Sequence, residues 1–127
     1  MMMVKVEGLD ALQSKLRNLP QKAVYAVRDI MKKIVADLKG KAQRITPVDL
    51  GDLVGSAYDE VNAVQNGVAA EVGFDIEYAT RQHEELTFVH RFPGQAKYLE
   101  TPLNENIDRY IEMVGDAAMK AMEDGHA

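Results

Sequence analysis

Between residues 8 and 19, leucines recur at positions 9, 12, 16 and 19. The spacings of three, four and three are those of one face of a helix. Asp10 falls in the first turn of that element, where a carboxylate complements the helix dipole. Pro20 ends it and is tolerated in the first turn of whatever follows. From Gln21 to Ile45 the apolar positions are Ala23, Val24, Val27, Ile30, Met31, Ile34, Val35, Leu38, Ala42 and Ile45. They form an unbroken stripe at the 3.6-residue period and predict a helix of about 25 residues, about 38 Å long. Its other side carries Lys22, Arg28, Lys32, Lys33, Lys39, Lys41 and Arg44. Gly40 is a weak point, and Thr46-Pro47 closes the helix because the residue before proline disfavours helical angles.

Beyond Pro47 the period changes. Pro47 to Gly51 reads as a turn with room for one helical turn through Leu53. Ser56–Gln65 and Val68–Phe74 flank Asn66-Gly67, a strong hairpin signal. A two-residue turn there would set Gln65 against Val68, Ala63 against Ala70 and Val61 against Val72 on one apolar face. It would put Asn62 opposite Glu71 on the other. Ile76, Tyr78 and Ala79 fit the start of a third strand, and residues 80–94 read as a long loop with a strand candidate at Thr87 to Arg91. Loops this long in a compact domain usually carry function. Thr101-Pro102 predicts an N-cap and a first helical residue. Leu103, Ile107, Tyr110, Ile111, Val114, Ala117, Ala118 and Ala121 then repeat helically to Met122. The expected fold is α+β: a long amphipathic helix with N- and C-terminal helices, packed on a small antiparallel sheet containing the Asn-Gly hairpin. One domain over residues 1–127 is expected, with 1–7 and 124–127 flexible.

Composition narrows the function classes. A chain of 127 residues suits one core. No apolar run approaches the ~20 residues of a bilayer span, so no membrane association is expected. The Met1–Val4 stretch is too short for a signal-peptide core and is interrupted by Lys5 and Glu7. The absence of cysteine removes disulfides, thiolate metal sites and thiol nucleophiles. Without tryptophan and with 6% aromatics, base-stacking platforms are disfavoured. The net charge of −5 conceals an asymmetry: residues 1–46 hold ten Lys/Arg against four Asp/Glu, and residues 47–127 hold five against sixteen. That pattern fits a nucleic-acid face on the basic half, complementary surfaces between identical subunits, or two solvated faces.

Candidate chemistry is sparse. His83, Glu84, Glu85 and His90 are the one cluster with metal-ligand residue types, but the histidines are seven apart. A helical zinc pair needs them four apart. Ser14 and Ser56 lie in no nucleophile-elbow sequence that would pair with His83 or His90. No glycine-rich phosphate loop occurs, and paired carboxylates such as Asp59-Glu60 and Glu84-Glu85 are adjacent, which in a strand sends them to opposite faces. No catalytic residue, metal or cofactor is assigned, and the chain reads as a non-enzyme. The binding candidates are Arg28, Lys32, Lys33 and Lys39 on the long helix, and His83, Glu84, Glu85, His90 and Arg91 in the loop.

Several segments, in order, resemble the head–tail joining (tail-completion) proteins of long-tailed siphophage necks. Val6-Glu7-Gly8-Leu9-Asp10-Ala11-Leu12 is similar to that family's first-helix signature. Pro47-Val48-Asp49-Leu50-Gly51-Asp52-Leu53 with Ser56 is similar to its most recognisable motif, directly after the long helix. Phe74-Asp75-Ile76-Glu77-Tyr78-Ala79 resembles the strand entering its central loop. Gln82-His83-Glu84, His90, Gly94 to Glu100, Pro102-Leu103 and Glu105-Asn106 resemble one branch. Many members follow the Tyr-Ala pair with glutamate-phenylalanine-glycine-threonine, where this chain has Thr80-Arg81-Gln82-His83-Glu84. Within the motif, Pro47, Asp49, Gly51 and Leu53 have folding roles: Asp49 caps the turn, Gly51 supplies its conformation and Leu53 enters the core.

The resemblance implies a structural virion protein, assembled in the host bacterial cytoplasm and located in the neck. It would be a subunit of a six-fold ring, monomeric before assembly in some relatives, contacting connector and tail-tube proteins. Genomic DNA would pass through the lumen without sequence-specific binding, which an acidic wall favours. The alternative from the residues is a nucleic-acid-binding accessory protein using the basic helix 21–45.

Overall fold

The computed structural model describes residues 9–46, 54–74 and 93–124. Helix α1 (Leu9–Lys15) is shorter than its leucine stripe. Leu12 is buried from the helix, whereas Leu16 and Leu19 reach the core from the corner that follows. Asn18 turns that corner with φ 52°, a left-handed angle that asparagine tolerates better than most residues. Helix α2 (Gln21–Ile45) has the expected bounds, and eight of its stripe residues are buried, Ala23 through Ala42. Ile30 is partly buried, but Ile45 is 46% exposed, so the last member of the stripe lies outside the core. Thr46 is extended (φ −75°, ψ 129°), as the residue before proline should be, and its hydroxyl donates to the Ala42 carbonyl at 2.7 Å.

Strands β1 (Ala57–Val64) and β2 (Gly67–Phe74) form an antiparallel pair. The turn residues are Gln65 and Asn66, not Asn66 and Gly67. Val64 therefore faces Gly67, Ala63 faces Val68 and Val61 faces Ala70, a register two residues from the expected one. A slip of two preserves the faces, so Val61, Val68 and Val72 still point into the core. It does change the outer pairs: Asn62 lies opposite Ala69, and Glu71 opposite Glu60. The cause lies in α1's corner. The Leu16 carbonyl accepts from Val68 N at 3.0 Å, and Leu19 N donates to the Asn66 carbonyl at 2.7 Å. A Cβ on residue 67 would stand 2.5 Å from the Leu16 oxygen, so glycine is required beside this backbone, and Asn66 takes the positive φ of 59°.

The last helix, α3 (Pro93–Asp124), has 32 residues and begins well before the expected Thr101-Pro102 cap. Pro93 and Gly94, assigned to the loop, are helical, and so is Asp124, assigned to the tail. Pro102 sits inside the helix and cannot donate to the carbonyl four residues back. Continuing the helix lets Tyr98 and Leu99 join Ala57 in packing on Ala42 and Phe74, with Tyr98 edge-on to Phe74 at 6.4 Å between centroids. Full burial of such a side chain is worth about 1.5–3 kcal/mol, so the two partly buried side chains together offset much of the roughly 3 kcal/mol cost of an interior proline. The main core gathers α2 with Leu12, Val68, Ile107, Tyr110 and Val114. The result is the α+β layer arrangement, with α2 between the hairpin and α3.

Candidate interaction surface

Because α2 buries one side against the hairpin and α3, its other side is the protein's surface. Tyr25, Asp29, Lys32, Lys33 and Ala36 are exposed there, Tyr25 at 59%. The Arg28 guanidinium stacks over the Tyr25 ring, 5.1 Å from its centroid, and Arg28 Nε is buried without a hydrogen-bond partner. Lys32 and Lys33 make no ion pair among the described residues. Lys39 differs, since its Nζ is 3.2 Å from Asp59 Oδ1 on β1. Its charge is committed within the protomer.

Asp37 joins α2 to α3. Its Oδ2 accepts from Tyr110 Oη at 2.6 Å, Lys41 Nζ at 2.8 Å and Arg109 Nη2 at 2.9 Å. Asn106 Oδ1 accepts from Lys41 at 3.1 Å and from Arg109 at 3.3 Å, closing the network. The Lys41 and Tyr110 hydrogen bonds hold the Asp37 carboxyl down at about 2. Burial, and then the Asp37 charge, push the Tyr110 hydroxyl well above the ordinary phenol range. Both shifts describe one contact in which a neutral phenol donates to a carboxylate. The cluster ties α2 to α3 where the two helices meet.

The exposed side of α3 has the opposite sign. Glu105, Asp108, Glu112, Asp116 and Glu123 are all exposed. At 100° per residue, positions 105, 112, 116 and 123 lie within about 20° of one line. Arg109, Met119 and Lys120 border it, Arg109 already paired to Asp37 and Met119 62% exposed. The outer face of the hairpin is acidic as well, with Tyr58 Oη donating to Glu71 at 2.9 Å and Asn62 to Glu60 at 3.1 Å.

Of the residues singled out from the sequence, Arg28 and Lys32 share one ridge, Lys33 lies about 100° further round the exposed side, and Lys39 pairs with Asp59 on β1. His83, Glu84, Glu85, His90 and Arg91, with Pro47, Asp49, Gly51 and Leu53, lie outside the described residues. Among the described residues no group of three metal-ligating side chains occurs, and no helix is long and apolar enough to cross a membrane. Sequence reasoning missed Tyr25 as a surface anchor, the Asp37 hub and the acidic line on α3. The Asp37–Lys41 spacing of four and the acidic spacings of four, four and seven were the available signals. Compared with protein-family models, with curated proteins and with solved structures, the chain matches none.

Proposed function

We propose that this protein is a structural subunit of a siphophage neck, joining the DNA-filled head to the tail as part of a ring. The observation that carries the reading is the ordered series of family-like segments on this framework. The 25-residue helix α2 stops at Ile45, Thr46 is extended, and the motif Pro47 to Leu53 stands between that helix and the hairpin. Segregated charge supports it further: the basic ridge of α2 and the acidic line of α3 lie on different surfaces of one protomer. Such patches favour head-to-tail contact between copies, and acidic surface left facing a lumen lets DNA slide past.

The test is the mass of the purified protein alone and with its cognate connector and tail-tube proteins. A ring, or a monomer that becomes a ring with those partners, is the expected result. Lys32→Glu with Lys33→Glu should weaken that assembly. A nucleic-acid-binding accessory role is the second reading, favoured by Tyr25, an exposed aromatic with Arg28 stacked on it inside the basic ridge. Against it, Lys39 and Lys41 are neutralised by Asp59 and Asp37. A monomer inert to neck proteins yet retained on DNA at moderate salt would replace the first reading with the second.

A further inference from the structure

The two charged ridges match in spacing as well as in sign. On α2, Tyr25, Arg28, Lys32 and Ala36 follow one another at steps of three, four and four. On α3, read backwards, Met119, Asp116, Glu112 and Asp108 follow at the same steps. Laid antiparallel, the two helices bring Tyr25 onto Met119, Arg28 onto Asp116, Lys32 onto Glu112 and Ala36 onto Asp108. The apolar end of each ridge is an exposed large side chain, Tyr25 at 59% and Met119 at 62%, and a thioether against an aromatic ring is a favourable contact. Both ridges span about 16 Å over eleven residue steps at the helical rise.

Keeping the two apolar ends together favours the antiparallel placement. A parallel arrangement with Tyr25 on Met119 would set Asp29 against Glu123 and carry Lys32 past Asp124, the last helical residue. Either ridge laid on its own copy opposes like charges, which disfavours two-fold dimers built on them. We infer that the α2 ridge of one copy docks antiparallel on the α3 ridge of a second copy, in the register Tyr25/Met119, Arg28/Asp116, Lys32/Glu112. Such a contact is heterologous: each copy keeps one free ridge of each sign, so the contact repeats until it closes or extends. The contact stands on the two ridges, and its place in a neck ring rests on the function proposed above.

The absence of native cysteine makes the register directly measurable. Three single variants, Ala36→Cys, Asp108→Cys and Met119→Cys, are each made at an exposed position. They are mixed pairwise in the full chain and oxidised mildly. The expected result is a disulfide-linked dimer from Ala36→Cys with Asp108→Cys, and little product from Ala36→Cys with Met119→Cys or from any variant alone. Adding Lys32→Glu to the first partner should lower the yield about tenfold by opposing two carboxylates, and Glu112→Lys in the second should restore it. Equal yields from the two mixtures, a dimer from Ala36→Cys alone, or no product at the highest soluble concentration would each overturn the inference. Virion composition is a separate readout. A 36–108 dimer from a protein absent from virions leaves the contact standing and removes the neck.

Discussion

Tyr110→Phe isolates one hydrogen bond in the interior joint between α2 and α3. The Tyr110 ring is fully buried, and phenylalanine fills the same space, so no cavity opens. What is lost is the hydroxyl that donates to Asp37 Oδ2 at 2.6 Å. A hydrogen bond to a charged acceptor is worth about 1.5–3 kcal/mol. The Asp37 side chain is 36% exposed and keeps Lys41 and Arg109, so water recovers part of that. The expected cost near neutral pH is about 1 kcal/mol, or about 3–5 °C in melting temperature for a domain of this size. The assay is urea unfolding of both proteins at neutral pH and at the lowest pH where each still folds. The cost should shrink in acid, because the acceptor loses its charge. An unchanged stability at neutral pH, or a cost equal at both pH values, would refute the account of Tyr110 as a donor to an ionised Asp37.

Three further outcomes follow from the same contacts. Asp37 is held at about 2 against an ordinary 3.8, so the folded state favours its ionised form; its contribution is complete above about pH 4 and is lost as pH falls toward 2. Asp37→Asn should therefore flatten that acid limb in a plot of stability against pH. Gly67→Ala forces a Cβ to 2.5 Å from the Leu16 carbonyl oxygen, a backbone atom tied to Val68, and should cost about 1–3 kcal/mol by thermal or chemical unfolding. Asn66→Gly should stay within about 0.5 kcal/mol of the parent, while Asn66→Ala should lose about 1 kcal/mol to its left-handed angle.

Helix α2 was legible because its stripe of ten apolar residues is long enough for periodicity alone to decide it. The hairpin was legible in its faces but not in its frame. Asn66-Gly67 looks like a turn pair, yet Gly67 is needed because the Leu16 carbonyl lies against it, a contact between residues about fifty apart that no local pattern encodes. Thr101-Pro102 misled for a related reason. The pair has cap chemistry, but packing of Tyr98 and Leu99 on Phe74 favours helix on both sides of the proline. The exposed residues Lys32 and Lys33 were visible as part of a charged face. That Lys39 belongs to Asp59 depends on the placement of β1 beside α2, which follows from tertiary packing.

The corner between α1 and the hairpin also bears on the order of events in folding. Two backbone hydrogen bonds, Leu19 to Asn66 and Val68 to Leu16, join segments about fifty residues apart. Loop-closure entropy must be spent before either forms, whereas α2 and the hairpin each assemble from near neighbours. The corner is therefore a late latch. Gly67→Ala should act mainly by speeding unfolding, with the folding arm of its chevron nearly unmoved. Locally opened forms should release α1 first and leave α2 and α3 joined through Asp37.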